Sequence, residues 1–151
     1  MVTSALAVIH LGLLAVWLGA MLYSLVIVQP RAARFFTDDD THEEFLTVLG
    51  AGNRTPVLAI LVAVVGTGIP LAATGELSTA AGWLLGVEGV LVVAAAAVFT
   101  RVSWRLWPRR VFALPSERPA HRTQLRRHAL LMVALVGTAF VLAVVAVTNP
   151  A

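Results

Sequence analysis

Four long runs of apolar residues, separated by polar loops, dominate the sequence. They extend over about residues 2–28, 56–74, 80–100 and 128–148. Each is close to the roughly 20 residues that an α-helix needs to cross a hydrocarbon core of about 30 Å. The pattern predicts an all-α, integral membrane protein, folded as a four-helix up-and-down bundle. We expect residues 1–151 to form a single membrane domain.

Proline and polar residues mark the predicted ends of these spans. We expect the first helix to stop at Gln29-Pro30, because proline cannot donate the next helical hydrogen bond. The following loop contains a capping-box pattern that begins at Thr41, and apolar residues continue from there to residue 49. A short amphipathic helix over about residues 41–49 is therefore expected on the cytoplasmic membrane surface. The acidic residues 38–40 just before it are expected to be solvated.

Composition supports a membrane location. The sequence is 59% hydrophobic and 13% charged, whereas a soluble domain has about 25% charged residues. A soluble domain of this length could not bury so much apolar surface. The absence of cysteine excludes disulfides, iron–sulfur clusters and thiolate metal sites.

The arginines predict the orientation of the spans. All eleven basic residues are arginines: three lie between residues 29 and 55, and eight lie between residues 101 and 127. The turn at residues 75–79 has none and carries Glu76. The positive-inside rule therefore predicts that the N and C termini lie outside and that the arginine loops lie in the cytoplasm. The expected location is the inner membrane of a bacterium. Because the arginines lie between spans, nucleic acid is not an expected partner.

Interfacial and packing signals are also present. Trp104 and Trp107, beside several arginines, predict an anchor against lipid headgroups, so membrane lipid is an expected partner. Gly82 and Gly86 predict a face for close helix packing in the third span. Residues 66–70 should loosen or kink the outer end of the second span.

Two ionisable residues lie inside the spans, and such residues are candidates for function because they are costly in lipid. His10 and Glu88 are each about eight residues, or about 12 Å, from the outer ends of spans one and three. They could therefore meet. Thr67 and Thr138, in spans two and four, are candidates for supporting polar contacts at a similar depth.

His10 shares a helical stripe with Trp17 and Met21, which we expect to line the floor of a site. A histidine and a carboxylate at one depth can form a structural hydrogen-bonded pair, a proton relay or two ligands of a metal. A haem bound by two histidines is excluded, because His10 and His128 lie near opposite membrane faces. A haem on His10 would need a different second ligand.

The first span resembles that of the copper-resistance protein D (CopD) superfamily of small bacterial membrane proteins. The resemblance rests on His10, Trp17, Gly19 and the Gln29-Pro30-Arg31 sequence, with further similarity near Thr67. It implies copper handling on the periplasmic side, with His10 as the matching histidine. The same span is similar to HemJ-type protoporphyrinogen oxidases, which carry a lysine in the third helix, where this chain has Glu88.

Together these observations favour a protein that binds a metal ion, copper first, or haem in the outer leaflet. His10, Glu88 and Met21 are the candidate metal ligands, and His10, Trp17 and Glu88 the candidate cofactor contacts. We expect metal transfer without turnover of an organic substrate, with a metal-delivering periplasmic protein or a second copy as partner. The alternatives are a small proton-coupled exporter that uses Glu88, and an accessory subunit of a larger membrane complex.

Overall fold

The computed structural model describes residues 2–74 and 78–149. Those residues form helices and short turns, with no strand among them. In chain order the helices are α1 (Val2–Phe35), α2 (Asp39–Ala51), α3 (Arg54–Ala73), α4 (Thr79–Val111) and α5 (Arg118–Thr148). The long helices α1, α3, α4 and α5 contain the four predicted spans. Glu76, assigned to the outer turn, lies outside the described residues.

The four long helices form an up-and-down bundle. Helix α1 packs between α3 and α5, and α4 packs against α5 most extensively and against α3. Helices α1 and α4 therefore face each other across the centre. Large apolar side chains on the outside of the bundle remain exposed, as at Val16, Val62 and Val93. Each long helix is long and apolar enough to cross a membrane, and the chain is a multi-pass membrane protein.

The sequence predicted that the first span ends at Pro30, and this prediction was wrong. Helix α1 passes through this proline and continues to Phe35. Residues Ser24–Val28 form a π-helical turn, in which the Gln29 N–H donates to the Ser24 carbonyl, five residues back. A π-turn widens the helix locally, and this accommodates a proline that would otherwise break it.

Helix α4 repeats this device before Pro108. Residues Val102–Leu106 form the π-turn, and the Trp107 N–H donates to the Val102 carbonyl. In this pattern each N–H donates to the carbonyl five residues back, so residue 108 would donate to Ser103. Residue 108 is a proline and has no N–H, so the Ser103 carbonyl receives no helical hydrogen bond. The Arg54 guanidinium donates to it instead, at 2.6 Å, and lies 4.5 Å above the Trp104 ring. Arg54 thus has a structural contact besides the role in orientation that the sequence predicts.

Helix α2 is held against α4 and α5 by ion pairs. Glu43, only 8% exposed, accepts two hydrogen bonds from Arg110, at 2.8 and 3.0 Å, and another from Arg122. Asp39 pairs with Arg118 and Arg122. Residues 38–40 are exposed at the start of α2, as the sequence predicted. What the sequence did not indicate is that Asp39 and Asp40 also bind Arg118, which follows about 80 positions later. Arg110, which lies beside Trp107 in the predicted headgroup anchor, binds Glu43.

The start of α2 also differs from the prediction. Asp38, not Thr41, is the N-cap, and its carboxylate accepts a hydrogen bond from the Thr41 N–H at 2.8 Å. The hydrogen bonds from Thr41 hold the pKa of the Asp38 carboxyl below its usual value, since they favour the charged form. The cap therefore begins the helix two residues earlier than the sequence pattern suggested.

The glycine face of the third span does not contact the bundle. Gly82 and Gly86 are exposed on α4, and no described atom lies within 4 Å of a Cβ built at either position. The buried face of α4 carries larger residues, including Leu85, Val92 and Phe99. The packing prediction for Gly82 and Gly86 was therefore wrong within this bundle, because one small-residue spacing does not fix which side of a helix faces its neighbours.

Candidate functional site

His10 lies at the centre of the bundle and is held by α3. It is 1% exposed, and its Nδ1 is 3.0 Å from Thr67 Oγ1. The Thr67 hydroxyl is itself 2.8 Å from the Ala63 carbonyl and 3.1 Å from the Val64 carbonyl. Because the single hydroxyl proton points to these carbonyls, the hydroxyl oxygen is free to accept. We therefore assign the Nδ1 proton to His10, which donates it to Thr67.

Glu88 approaches the other side of the imidazole ring from α4. It is 4% exposed, and its Oε1 is 3.5 Å from His10 Nε2. This separation exceeds a normal hydrogen bond, and neither atom has a hydrogen-bond partner among the described residues. The sequence predicted that the two side chains would meet at one depth, and the structure brings them together.

Thr67 determines which imidazole nitrogen carries the proton when His10 is neutral. With Nδ1 protonated, a neutral His10 presents a lone pair at Nε2, and a neutral Glu88 can supply the proton between them. The other neutral combination is an imidazolium beside a carboxylate, with the same single proton on Nε2. Both states have no net charge, which matters because an unpaired charge is costly in a buried membrane site.

Gly68 makes room for the imidazole ring. A Cβ built at this position would lie 3.0 Å from His10 Cε1 and 3.5 Å from Nδ1. Since an ordinary contact at a Cβ is 3.4–4 Å, any side chain here would press on the ring. Gly66, two residues earlier, has no described atom within 4 Å of its built Cβ. Sequence reasoning treated both glycines as kink residues and missed the role of Gly68 in the site.

The two sides of the site are packed differently. Towards the ends of the helices that are predicted to be outside, the buried residues are mostly alanines: Ala7, Ala81, Ala143 and Ala146, with Leu71 and Leu85. Towards the cytoplasmic ends they are larger, and include Leu14, Trp17, Val92, Val136 and Phe99. His10 lies little more than two helical turns from the start of α1 at Val2. The shorter and less bulky barrier therefore separates the site from the predicted outer face.

Three other predicted site residues are not brought to His10. Trp17 is 1% exposed but lies seven residues along α1, about 10 Å from His10 along the axis. Met21 lies about 16 Å along the same helix and cannot ligate an ion held by His10. Thr138 is exposed on α5, whose buried face passes through Val136 and Ala139. The assignments of Met21 and Thr138 were wrong for these geometric reasons.

Haem does not fit this site. The imidazole Nε2, the atom that would bind iron if Nδ1 donates to Thr67, faces Glu88 at only 3.5 Å. A porphyrin needs a slot between helices as wide as several side chains, and here the ring is enclosed by Glu88, Thr67 and Gly68. Residues with 0–5% exposure surround it above and below. We therefore do not assign haem to His10.

The site offers two donors to a metal ion. His10 Nε2 and Glu88 Oε1 are unpartnered and face each other, and Nδ1 is oriented by Thr67 as a ligating histidine requires. However, within the described part of the chain no group of three or more His, Cys, Asp or Glu residues could hold a metal. A metal bound here would need further ligands from water or another molecule.

Comparison with known proteins assigns the chain no relative: no family model, no curated protein and no solved structure matches it. The resemblance to the CopD superfamily therefore stays a prediction, and the site itself must carry the argument about function.

Proposed function

We propose that this protein binds and releases one proton at the His10–Glu88 pair, as part of a proton-linked transport process in a bacterial inner membrane. The single observation that carries this proposal is the geometry around the imidazole. Its Nδ1 is committed to Thr67, and its Nε2 faces a buried carboxylate at 3.5 Å. Two ionisable side chains this close affect each other, so a proton gained or lost by one changes the electrostatic environment of the other.

Loss of the proton leaves a net negative charge on the pair, and gain of a second leaves a positive one. Either charge would be buried in the bundle, where it is unfavourable unless water or helix movement compensates. Proton exchange is thereby linked to a change in hydration or helix position. Helix α3 is suited to such movement, because Gly66, Gly68 and Pro70 occur within one stretch near its outer end.

On the predicted orientation, the site exchanges protons with the outer side. The buried residues on that side are mostly alanines, so a water molecule that reaches the site would have to displace only small side chains. On the cytoplasmic side, the large side chains of Trp17 and Phe99 block the way. A substrate would be moved by the same rearrangement. Thr67 would hold the imidazole in one orientation throughout, since its own hydroxyl is tied to the Ala63 carbonyl.

Infrared titration of the reconstituted protein tests this proposal. The carboxylic acid band of Glu88, identified by its loss in Glu88→Gln, should change with pH together with the imidazole bands. In His10→Ala the carboxyl should titrate at a different pH, because its proton partner is gone. Thr138→Val is the matched control, since this residue is exposed on the outside of α5. A carboxyl band that ignores His10→Ala, or that never titrates, would show a structural pair and would overturn the proposal.

A copper ion is the second candidate, and one distance favours it. Two ligands of a tetrahedral ion with bonds of about 2.0–2.2 Å are about 3.3–3.6 Å apart, close to the 3.5 Å between Nε2 and Oε1. On this alternative His10 and Glu88 would hold a copper ion for transfer at the outer face. Dialysis of purified protein against Cu(II), which nitrogen and oxygen ligands suit better than Cu(I), and separately against Cu(I) tests it. One equivalent of either ion should bind to the parent, and none to His10→Ala or Glu88→Gln.

A further inference from the structure

A groove on the cytoplasmic half of the molecule lies between the end of α1 and helix α2. Its volume is about 370 Å³, and it is open on one side. Its walls are mainly apolar, with Tyr23 and Ile27 on α1 and Phe45 on α2. Arg31 is the charged residue in its lining. We propose that this groove binds one acyl chain of an anionic phospholipid from the cytoplasmic leaflet, with the lipid phosphate on Arg31.

The aromatic wall of the groove is held in place. The Phe36 ring lies 5.1 Å from the Phe45 ring and stacks on His42 at 5.9 Å between ring centroids. Helix α2, which supplies Phe45 and His42, is tied to the bundle through Glu43 and its two arginines. The groove is therefore a preformed feature of the fold. A preformed apolar groove binds a chain with less loss of conformational freedom.

The position of the groove suits a lipid. It follows the last part of α1, from Tyr23 to Phe35, where the helix leaves the predicted hydrocarbon core. Phe35 is 80% exposed at this level, and Tyr23 is 61% exposed. Aromatic side chains are enriched at such membrane–water interfaces. An acyl chain entering from the side would cover this apolar surface.

Charge selects the headgroup. Arg110, Arg118 and Arg122 are bound to carboxylates of α2. Arg31 differs, because no carboxylate of the described residues lies within 4.0 Å of it. It is exposed at the groove, and Arg34 is exposed one turn further along the same helix. A guanidinium with its donors free at headgroup level is suited to bind phosphate.

Competition between lipids tests the proposal. The full-length protein is placed in nanodiscs containing phosphatidylglycerol and phosphatidylcholine, and the lipids that remain bound are counted by native mass spectrometry. The parent should retain phosphatidylglycerol in excess of its share. Arg31→Gln should reduce this preference about fivefold, the effect of one arginine near an anionic surface. Arg109→Gln is the control: it removes an exposed arginine from α4 that does not line the groove.

A second variant separates the acyl chain from the headgroup. Val28→Trp should fill the groove while leaving Arg31 in place, so retained lipid of both kinds should fall. Equal effects of Arg31→Gln and Arg109→Gln would show only general surface charge, and would overturn the proposal. Unchanged lipid retention in Val28→Trp would do the same. A second copy of the chain crosslinked through the groove would show a different occupant and would also refute it.

Discussion

Replacing Gly68 by alanine should destabilise the protein by acting on His10 alone. The new Cβ would lie 3.0 Å from His10 Cε1, so the ring must retreat by a few tenths of an ångström to reach an ordinary contact. Retreat is resisted on both sides, because Nδ1 is bound to Thr67 and Nε2 faces Glu88. Overpacking of this kind costs about 1–3 kcal/mol.

Alanine also has a higher helix propensity than glycine, by about 0.8–1.0 kcal/mol, and this gain must be removed from the comparison. Gly66→Ala provides the correction. It lies in the same helix, and no described atom is within 4 Å of its built Cβ. The difference between the two variants therefore isolates the contact with His10, and we expect Gly68→Ala to be less stable than Gly66→Ala by about 1–3 kcal/mol.

Reversible unfolding by sodium dodecyl sulfate in mixed micelles measures this difference, with tryptophan fluorescence and circular dichroism as probes. A third variant, Gly68→Ala combined with His10→Ala, should be as stable as Gly66→Ala combined with His10→Ala, because the alanine Cβ would then meet no ring. If Gly68→Ala and Gly66→Ala have the same free energy of unfolding within about 0.5 kcal/mol, the close approach of α3 to the imidazole is refuted. Equal stability of the two double variants would distinguish a ring contact from a backbone effect.

Three further predictions concern the rest of the fold. Arg54→Leu should lower the free energy of unfolding by about 1 kcal/mol, because it removes the donor to the Ser103 carbonyl; no change would mean that water replaces the guanidinium. Gly86→Leu should not lower the stability of a monomer, and a loss would reveal a contact outside the bundle. The side-chain hydrogen bonds from Arg122 and Arg118 hold the pKa of the Asp39 carboxyl below its usual value. Its contribution to the docking of α2 is therefore complete above the unfolded-state pKa, near pH 4, and is lost as the pH falls through the lower folded-state pKa. The protection of the α2 amides, relative to their intrinsic exchange rate at each pH, should fall only in that acidic range, and a loss of protection near neutral pH would contradict this reasoning.

The spans were predictable because hydrophobicity along the chain directly determines them. The depth of His10 and Glu88 followed from counting residues along each helix, and this was enough to predict that they meet. The rotation of each helix was not predictable. Thr138 and Gly86 were assigned to the interior, yet their helices turn these residues outward, because the rotation depends on packing with distant segments.

Features that join distant parts of the chain were also missed. Nothing near Pro108 in the sequence indicates that Arg54 caps the carbonyl that this proline leaves free. Nothing near Glu43 indicates that Arg122 binds it. Helix continuation through Pro30 was missed for a different reason, since a π-turn replaces the hydrogen bond pattern on which the proline rule depends. The contact of Gly68 with His10 joins two spans and has no local sequence signal.

The ion pairs of Glu43 have a consequence for how the chain is made. Its partners Arg110 and Arg122 follow 67 and 79 residues later, so the first two spans are synthesised before either arginine. Until then α2 has no counter-charge for its carboxylate, and burial of that group is unfavourable. The first helical hairpin is therefore synthesised while α2 still has nothing to dock against. Synthesis of the second arginine loop supplies the counter-charges with which α2 docks against α4 and α5.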